Sequence, residues 1–143
     1  MQYKSTRDSS LRLNAAEVIT AGISGDGGLF VPETLPGLTA DDIAALTKKS
    51  YAQRAEFILG KFLTDFTPEE IRYCTEHAYN DKKFDSEKIA ELSRLCDGTY
   101  LLELWHGPTC AFKDMALQML PYLLAASLRK TGETRTACIL VAT

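Results

Sequence analysis

The sequence predicts an α/β fold: a mainly helical N-terminal region with short strands, followed by the first βαβ unit of an open-sheet domain. Three observations predict it. From Asn14 to about Leu95 the chain carries repeated helix-start signals, each followed by apolar residues at helical spacing. After Asp97-Gly98 the pattern changes to strand, loop, helix and a near-continuous apolar run. A length of 143 residues, 45% hydrophobic and 24% charged, suits one globular core or two small coupled ones. The expected division is residues 1–97 for the helical part and 98–143 for the start of an incomplete second domain.

The first helix is expected over residues 14–22, where Asn14 and Glu17 form a capping-box pair and Gly22 supplies the stop. Gly25, Asp26, Gly27 and Gly28 then make a tight turn into a short extended run ending at Pro32. A phosphate cradle is disfavoured there because Pro32 and Pro36 stand where a helix would have to start. Thr39, with Asp41 and Asp42 after it, opens the next helix. Ser50 opens another, with Tyr51, Ala55, Ile58, Leu59 and Phe62 on one face. Thr67-Pro68-Glu69-Glu70 is the strongest start signal in the chain. Asp85 is expected to open a shorter helix through Ile89, Leu92 and Leu95. These apolar stripes are read as core-facing scaffold.

Beyond Asp97-Gly98, residues 99–104 read as a strand and residues 105–111 as a loop. A helix is expected from Phe112 to about Arg129, burying Phe112, Met115, Ala116, Met119, Leu120, Leu123 and Leu124. Pro121 should kink or split it, because its ring removes a donor from the turn. Residues 137–142 are apolar throughout, as a parallel strand buried on both faces would be.

A net charge of −3 gives no reason to expect nucleic acid or an anionic membrane as partner. No apolar run approaches the ~20 residues of a membrane span, and residues 1–12 lack the apolar stretch of a secretory signal. Cys74, Cys96, Cys110 and Cys138 form no C-x-x-C pair, and His77 and His106 have no zinc-ligand spacing. Reduced thiols in a cytoplasmic protein without a metal are therefore expected.

The chemistry-bearing segment is the strand-to-helix connection His106-Gly107-Pro108-Thr109-Cys110-Ala111-Phe112-Lys113-Asp114. Ligand sites in open α/β sheets gather in such loops. A lysine in water has a pKa near ~10.4 and is almost wholly protonated at neutral pH, which makes it a poor nucleophile. Burial and a helix N-terminus favour the free amine, whereas a neighbouring carboxylate such as Asp114 opposes this. Lys113, expected to be half-buried at a helix start, is thus a candidate for Schiff-base chemistry with an aldehyde cofactor. By itself the segment reads rather as a helix edge from which a lysine reaches solvent.

Residues 102–114 resemble the lysine-bearing signature of threonine synthases, enzymes that use pyridoxal 5'-phosphate and share the fold of the tryptophan synthase β subunit. A second stretch agrees: Tyr3, Ser5, Thr6 and Arg7, then Gly22, Ile23 and Asp26-Gly27-Gly28-Leu29-Phe30-Val31-Pro32. Asp8 departs from the pattern, in which glycine usually follows Ser-Thr-Arg. The resemblance implies that Lys113 is the catalytic, cofactor-bonding lysine, with His106, Thr109, Phe112 and Asp114 shaping the cofactor site. His106 is expected to bond loop backbone, Asp114 to cap or salt-bridge, and Trp105 to pack.

The implied reaction converts O-phospho-L-homoserine and water to L-threonine and phosphate, with that small molecule as the partner and no metal. Family members continue beyond Thr143 into further cofactor-binding loops, so the chain reads as a fragment of a lyase of threonine biosynthesis. These residues alone are expected to bind the cofactor weakly or not at all, without turnover. Two alternatives stay open: a threonine-synthase-like phospho-lyase that makes no threonine, and a non-catalytic helical interaction module. Oligomeric state is left open.

Overall fold

The computed structural model describes residues 1–140. Its first strand, β1 (Tyr3–Ser5), turns Tyr3 into the interior, where the hydroxyl donates to the Phe62 carbonyl at 3.1 Å. Asn14 caps α1 (Ala15–Ala21) in the predicted box: its side chain accepts from the Glu17 amide, and Glu17 accepts from the Asn14 amide. β2 (Phe30–Pro32) returns antiparallel to β1, with Tyr3 opposite Pro32 and Ser5 opposite Phe30. The glycine turn before it is clasped by Asp26, whose Oδ1 accepts from the Gly28 amide at 2.7 Å and from the buried Ser5 hydroxyl at 2.9 Å. Gly28 lies so close to Ser5 that any Cβ there would collide with the Ser5 hydroxyl. The two N-terminal sequence stretches are thus two halves of one clasp.

Three helices follow at the predicted hydroxyl caps: α2 (Ala40–Leu46) after Thr39, α3 (Tyr51–Phe62) after Ser50, and α4 (Pro68–Ala78) after Thr67. Asp42, Gln53 and Glu70 complete a capping box at each. α3 packs on α4, which buries Ile71, Cys74 and Ala78. Ile71 joins Tyr3, Ala15, Ala16, Leu63 and Phe66 in the main core.

The helix expected from Asp85 through Leu95 does not form. Residues 79–90 are turns, and Ile89 is held buried at φ 65°, a backbone conformation that a β-branched residue rarely adopts. Instead β3 (Glu91–Cys96) pairs antiparallel with β4 (Thr99–Glu103), placing Leu92 opposite Leu102, with a bulge between Arg94 and Cys96. Asp97-Gly98 is the reason: Gly98 takes φ 74°, and a two-residue Asp-Gly turn between apolar runs closes a hairpin. The 3–4 spacing of Leu92 and Leu95 is a weaker signal than that turn.

The predicted strand after Gly98 is present as β4, but its partner is β3. Among the described residues the sheets are two antiparallel ribbons, and no parallel βαβ pair forms. Residues 137–140 of the predicted closing strand lie in no strand, while Val141 and Ala142 fall outside the described residues. Physically, β3 is reached through a two-residue turn, whereas a parallel partner needs a long crossover.

The long helix splits as Pro121 requires, into α5 (Asp114–Leu117) and α6 (Leu120–Thr131). Its predicted buried side is only partly correct. Met119 is buried and Leu123 packs on the core, but Phe112 is 65% exposed. The deepest positions of α6 are Ala126 and Ser127, because α6 crosses α1 closely and only small side chains fit that contact. No helix among the described residues is long and apolar enough to cross a membrane.

Candidate active site: the Lys113 loop

Lys113 is the N-cap residue of α5, and its own backbone is already helical. It is exposed, not half-buried as expected, and its ammonium makes no hydrogen bond or ion pair among the described residues. The reason is rotational. Successive helix residues point about 100° apart, and Asp114, the next residue, takes the inward direction with 0% exposure. Lys113 is therefore turned to solvent by its neighbour.

Asp114 closes the loop. Its Oδ2 accepts from the Thr109 amide at 2.8 Å and from the Thr109 hydroxyl at 3.0 Å. Gly107 packs against the same carboxylate: a Cβ there would lie 2.5 Å from Asp114 Cβ and 2.6 Å from Oδ2. The second oxygen, Oδ1, is buried without a hydrogen-bond partner. Cys110, at φ 56°, turns the chain between these contacts, and its amide donates to the Gly107 carbonyl at 3.1 Å. Asp114 thus pins the loop, where a cap or a salt bridge was expected.

His106 differs from expectation as well. Its ring does not bond loop backbone but lies between two carboxylates, Nε2 at 2.8 Å from Glu103 Oε2 and Nδ1 at 2.6 Å from Asp85 Oδ1. The Asp85 amide also donates to the His106 carbonyl at 3.0 Å, so the two segments are linked twice. Ser93 of β3 donates to the other Glu103 oxygen. The hydrogen bond to Glu103, then that to Asp85, raises the His106 pKa above its ordinary value. Glu103 is lowered in turn, by Ser93 first and then by His106.

Farther along, the Tyr79 hydroxyl donates to the Met115 carbonyl at 2.7 Å, tying α5 to the end of α4, and burial pushes that hydroxyl up to about 12. An apolar groove of about 650 Å³ lies beside this contact, lined in part by Tyr51, Ile58, Met115, Leu120 and Leu123. Neither Lys113 nor Phe112 lines it. Trp105, half exposed, lies tilted beside the His106 ring.

Of the predicted residues, Thr109 and Asp114 are joined directly, and His106, Phe112 and Lys113 belong to the same short loop. The sequence does not predict Asp85, Glu103 and Tyr79 as partners. Glu103, three residues before His106 at the end of a strand, carries a weak signal. Asp85 and Tyr79 carry none, because only the fold brings them to the loop.

Residues 2–79 match the family model described as threonine synthase N terminus. The chain belongs to the threonine synthase family. It is 36% identical over 141 residues to the threonine synthase of Methylobacillus glycogenes, covering 94% of this chain and 30% of that one. It is 38% identical over 139 residues to the threonine synthase of Corynebacterium glutamicum, covering 94% and 29%. The fold superposes on the PLP-bound threonine synthase of Brucella melitensis with a TM-score of 0.85 at 34% identity, covering 93% of this chain and 28% of that one. The chain thus spans less than a third of the threonine synthases it matches. Both sequence alignments are too long to end before the lysine loop, so the likeness includes the segment that carries Lys113.

Proposed function

We propose that this chain contributes the cofactor-bonding lysine of a threonine synthase that acts with pyridoxal 5'-phosphate. In the whole protein the reaction is the conversion of O-phospho-L-homoserine and water to L-threonine and phosphate. One observation carries the reading: a lysine with a free ammonium group stands at the head of a helix, on a loop pinned by the Asp114–Thr109 hydrogen bonds.

The donor set fits an aldehyde cofactor. Lys113 Nζ supplies the amine, and the exposed Phe112 ring beside it offers a flat apolar surface for a pyridine ring. When bound, the cofactor supplies an electron sink for negative charge developing on substrate carbon. Positioning and proton transfer fall to residues of this chain. Asp114 and Thr109 fix the loop that carries Lys113, and Gly107 lets the loop lie close enough for that clamp. Lys113 Nζ is the group that would take and return a proton at the substrate α carbon. Groups that hold the substrate phosphate and the cofactor phosphate are assigned to the remainder of the whole protein, and residues 1–143 alone are assigned no turnover.

Borohydride reduction of the whole protein in the presence of pyridoxal phosphate, followed by peptide mapping, tests this reading. The expected result is one reduced adduct, on Lys113, which Lys113→Ala abolishes. A label on another lysine, or none, overturns it. Assaying threonine from O-phosphohomoserine then separates a synthase from a phospho-lyase that releases phosphate only.

A further inference from the structure

The His106 bridge has a chemical requirement of its own. Ionised carboxylates accept hydrogen bonds and cannot donate them, and a neutral imidazole has one donor and one acceptor. An imidazole that bonds Glu103 through Nε2 and Asp85 through Nδ1 must donate at both ends, so the geometry calls for an imidazolium. The ring's side chain is only 15% exposed and that of Glu103 only 17%, whereas the Asp85 side chain is 77% exposed, so the Glu103 end of the bridge is the one shielded from water. What the bridge connects is specific. Glu103 ends β4, Asp85 lies in the 79–90 turn, and His106 is followed at once by Gly107, which rests on Asp114. The ring is therefore the side-chain tie between the start of the Lys113 loop and these two segments, beside the Asp85 amide bond to the His106 carbonyl.

We propose that His106 is the positioning residue of the Lys113 loop, held as an imidazolium between Glu103 and Asp85, so that the loop loses one of its two anchors when that proton leaves. Its functional meaning rests on the reading of Lys113 given above; the clamp itself does not. The charged groups around the ring are Asp85 from the turn and Glu103 from β4, with Lys88, itself paired to Glu91, acting on Glu103. The sign follows from linkage. With the folded pKa raised, the clamp is fully present below the unfolded value of ~6.5 and is lost as pH rises through the folded value.

Glu103→Gln separates this clamp from a merely structural contact. A glutamine amide can donate to Nε2 of a neutral ring while Nδ1 still donates to Asp85, so this variant keeps both anchors at high pH. His106→Gln keeps neither geometry. The measurement is the concentration of pyridoxal phosphate that half-saturates borohydride labelling of Lys113 in the whole protein, taken on both sides of the His106 titration. The ratio of wild type to Glu103→Gln cancels the titration of the lysine and of the cofactor. That ratio is expected to rise about tenfold above the titration, the size of one charge-assisted hydrogen bond. His106→Gln is expected to bind weakly at every pH. A flat ratio overturns the proposal. Proton NMR of the imidazole, assigned by the signal lost in His106→Gln, gives an independent reading: it should titrate above ~6.5 in wild type and move downward in Glu103→Gln. An ordinary titration in both overturns the clamp. Absence of any label on Lys113 overturns the cofactor reading, and the imidazole titration then decides the clamp separately.

Discussion

Gly107 and Asp114 are seven residues apart in the sequence and share one patch of volume. The glycine is needed because nothing larger than hydrogen fits over the carboxylate that pins Thr109. Gly107→Ala is therefore expected to lower stability by about 1–3 kcal/mol, the usual cost of forcing an extra methyl into a packed site. The urea midpoint of unfolding checks it; an unchanged midpoint would mean that the loop yields without cost. Lys113, His106, Thr109, Phe112 and Asp114 are all legible as a motif, since they lie within one short stretch of sequence. Their partners are not. Asp85 precedes His106 by twenty-one positions and Tyr79 precedes Met115 by thirty-six, so neither contact has a local trace. The exposure of Lys113 is illegible for a related reason: burial at a helix start depends on which way the first turn faces, and Asp114 decides that.

At the scale of elements, the helices whose starts carry hydroxyl or amide caps are all legible, because a cap is a local hydrogen bond between residues three apart. The strand β3 reads as helix because Leu92 and Leu95 stand three apart, a helical spacing, and Asp97-Gly98 looks like a break when it is a hairpin turn. The parallel pairing is a non-local inference, and the described residues contain only antiparallel pairs. If the turn decides the hairpin, Gly98 matters more than any single leucine in it. Gly98→Ala, at φ 74°, is expected to cost about 1–2 kcal/mol from left-handed backbone strain. Faster amide exchange in β3 and β4, with α1 and α4 unaffected, is the expected signature; equal protection in both proteins would count against the turn as the determinant. Since Glu103 ends β4, the same substitution should loosen the His106 clamp.

Across the whole molecule, the lysine loop is suspended between two supports: the β3–β4 hairpin before it, and α6 after it. α6 is fastened to the N-terminal body through Ala126 and Ser127 against α1. Enlarging that contact should be felt at the loop. Ala126→Leu is expected to destabilise the fold by about 1–3 kcal/mol and to reduce borohydride labelling of Lys113, although the two positions share no contact. Full labelling in a demonstrably destabilised variant would show that the hairpin alone sets the loop. The opening residues belong to the same body. Tyr3 fills the seam beside α1, bonds Phe62, and precedes Ser5, which completes the clasp on Asp26, while the ammonium of Met1 donates to Thr64. Trimming those five residues to make a shorter expression product would leave a ring-sized hole in the interior and strip a buried hydroxyl from an aspartate, so the leading end of this polypeptide is a poor place for the engineer's scissors.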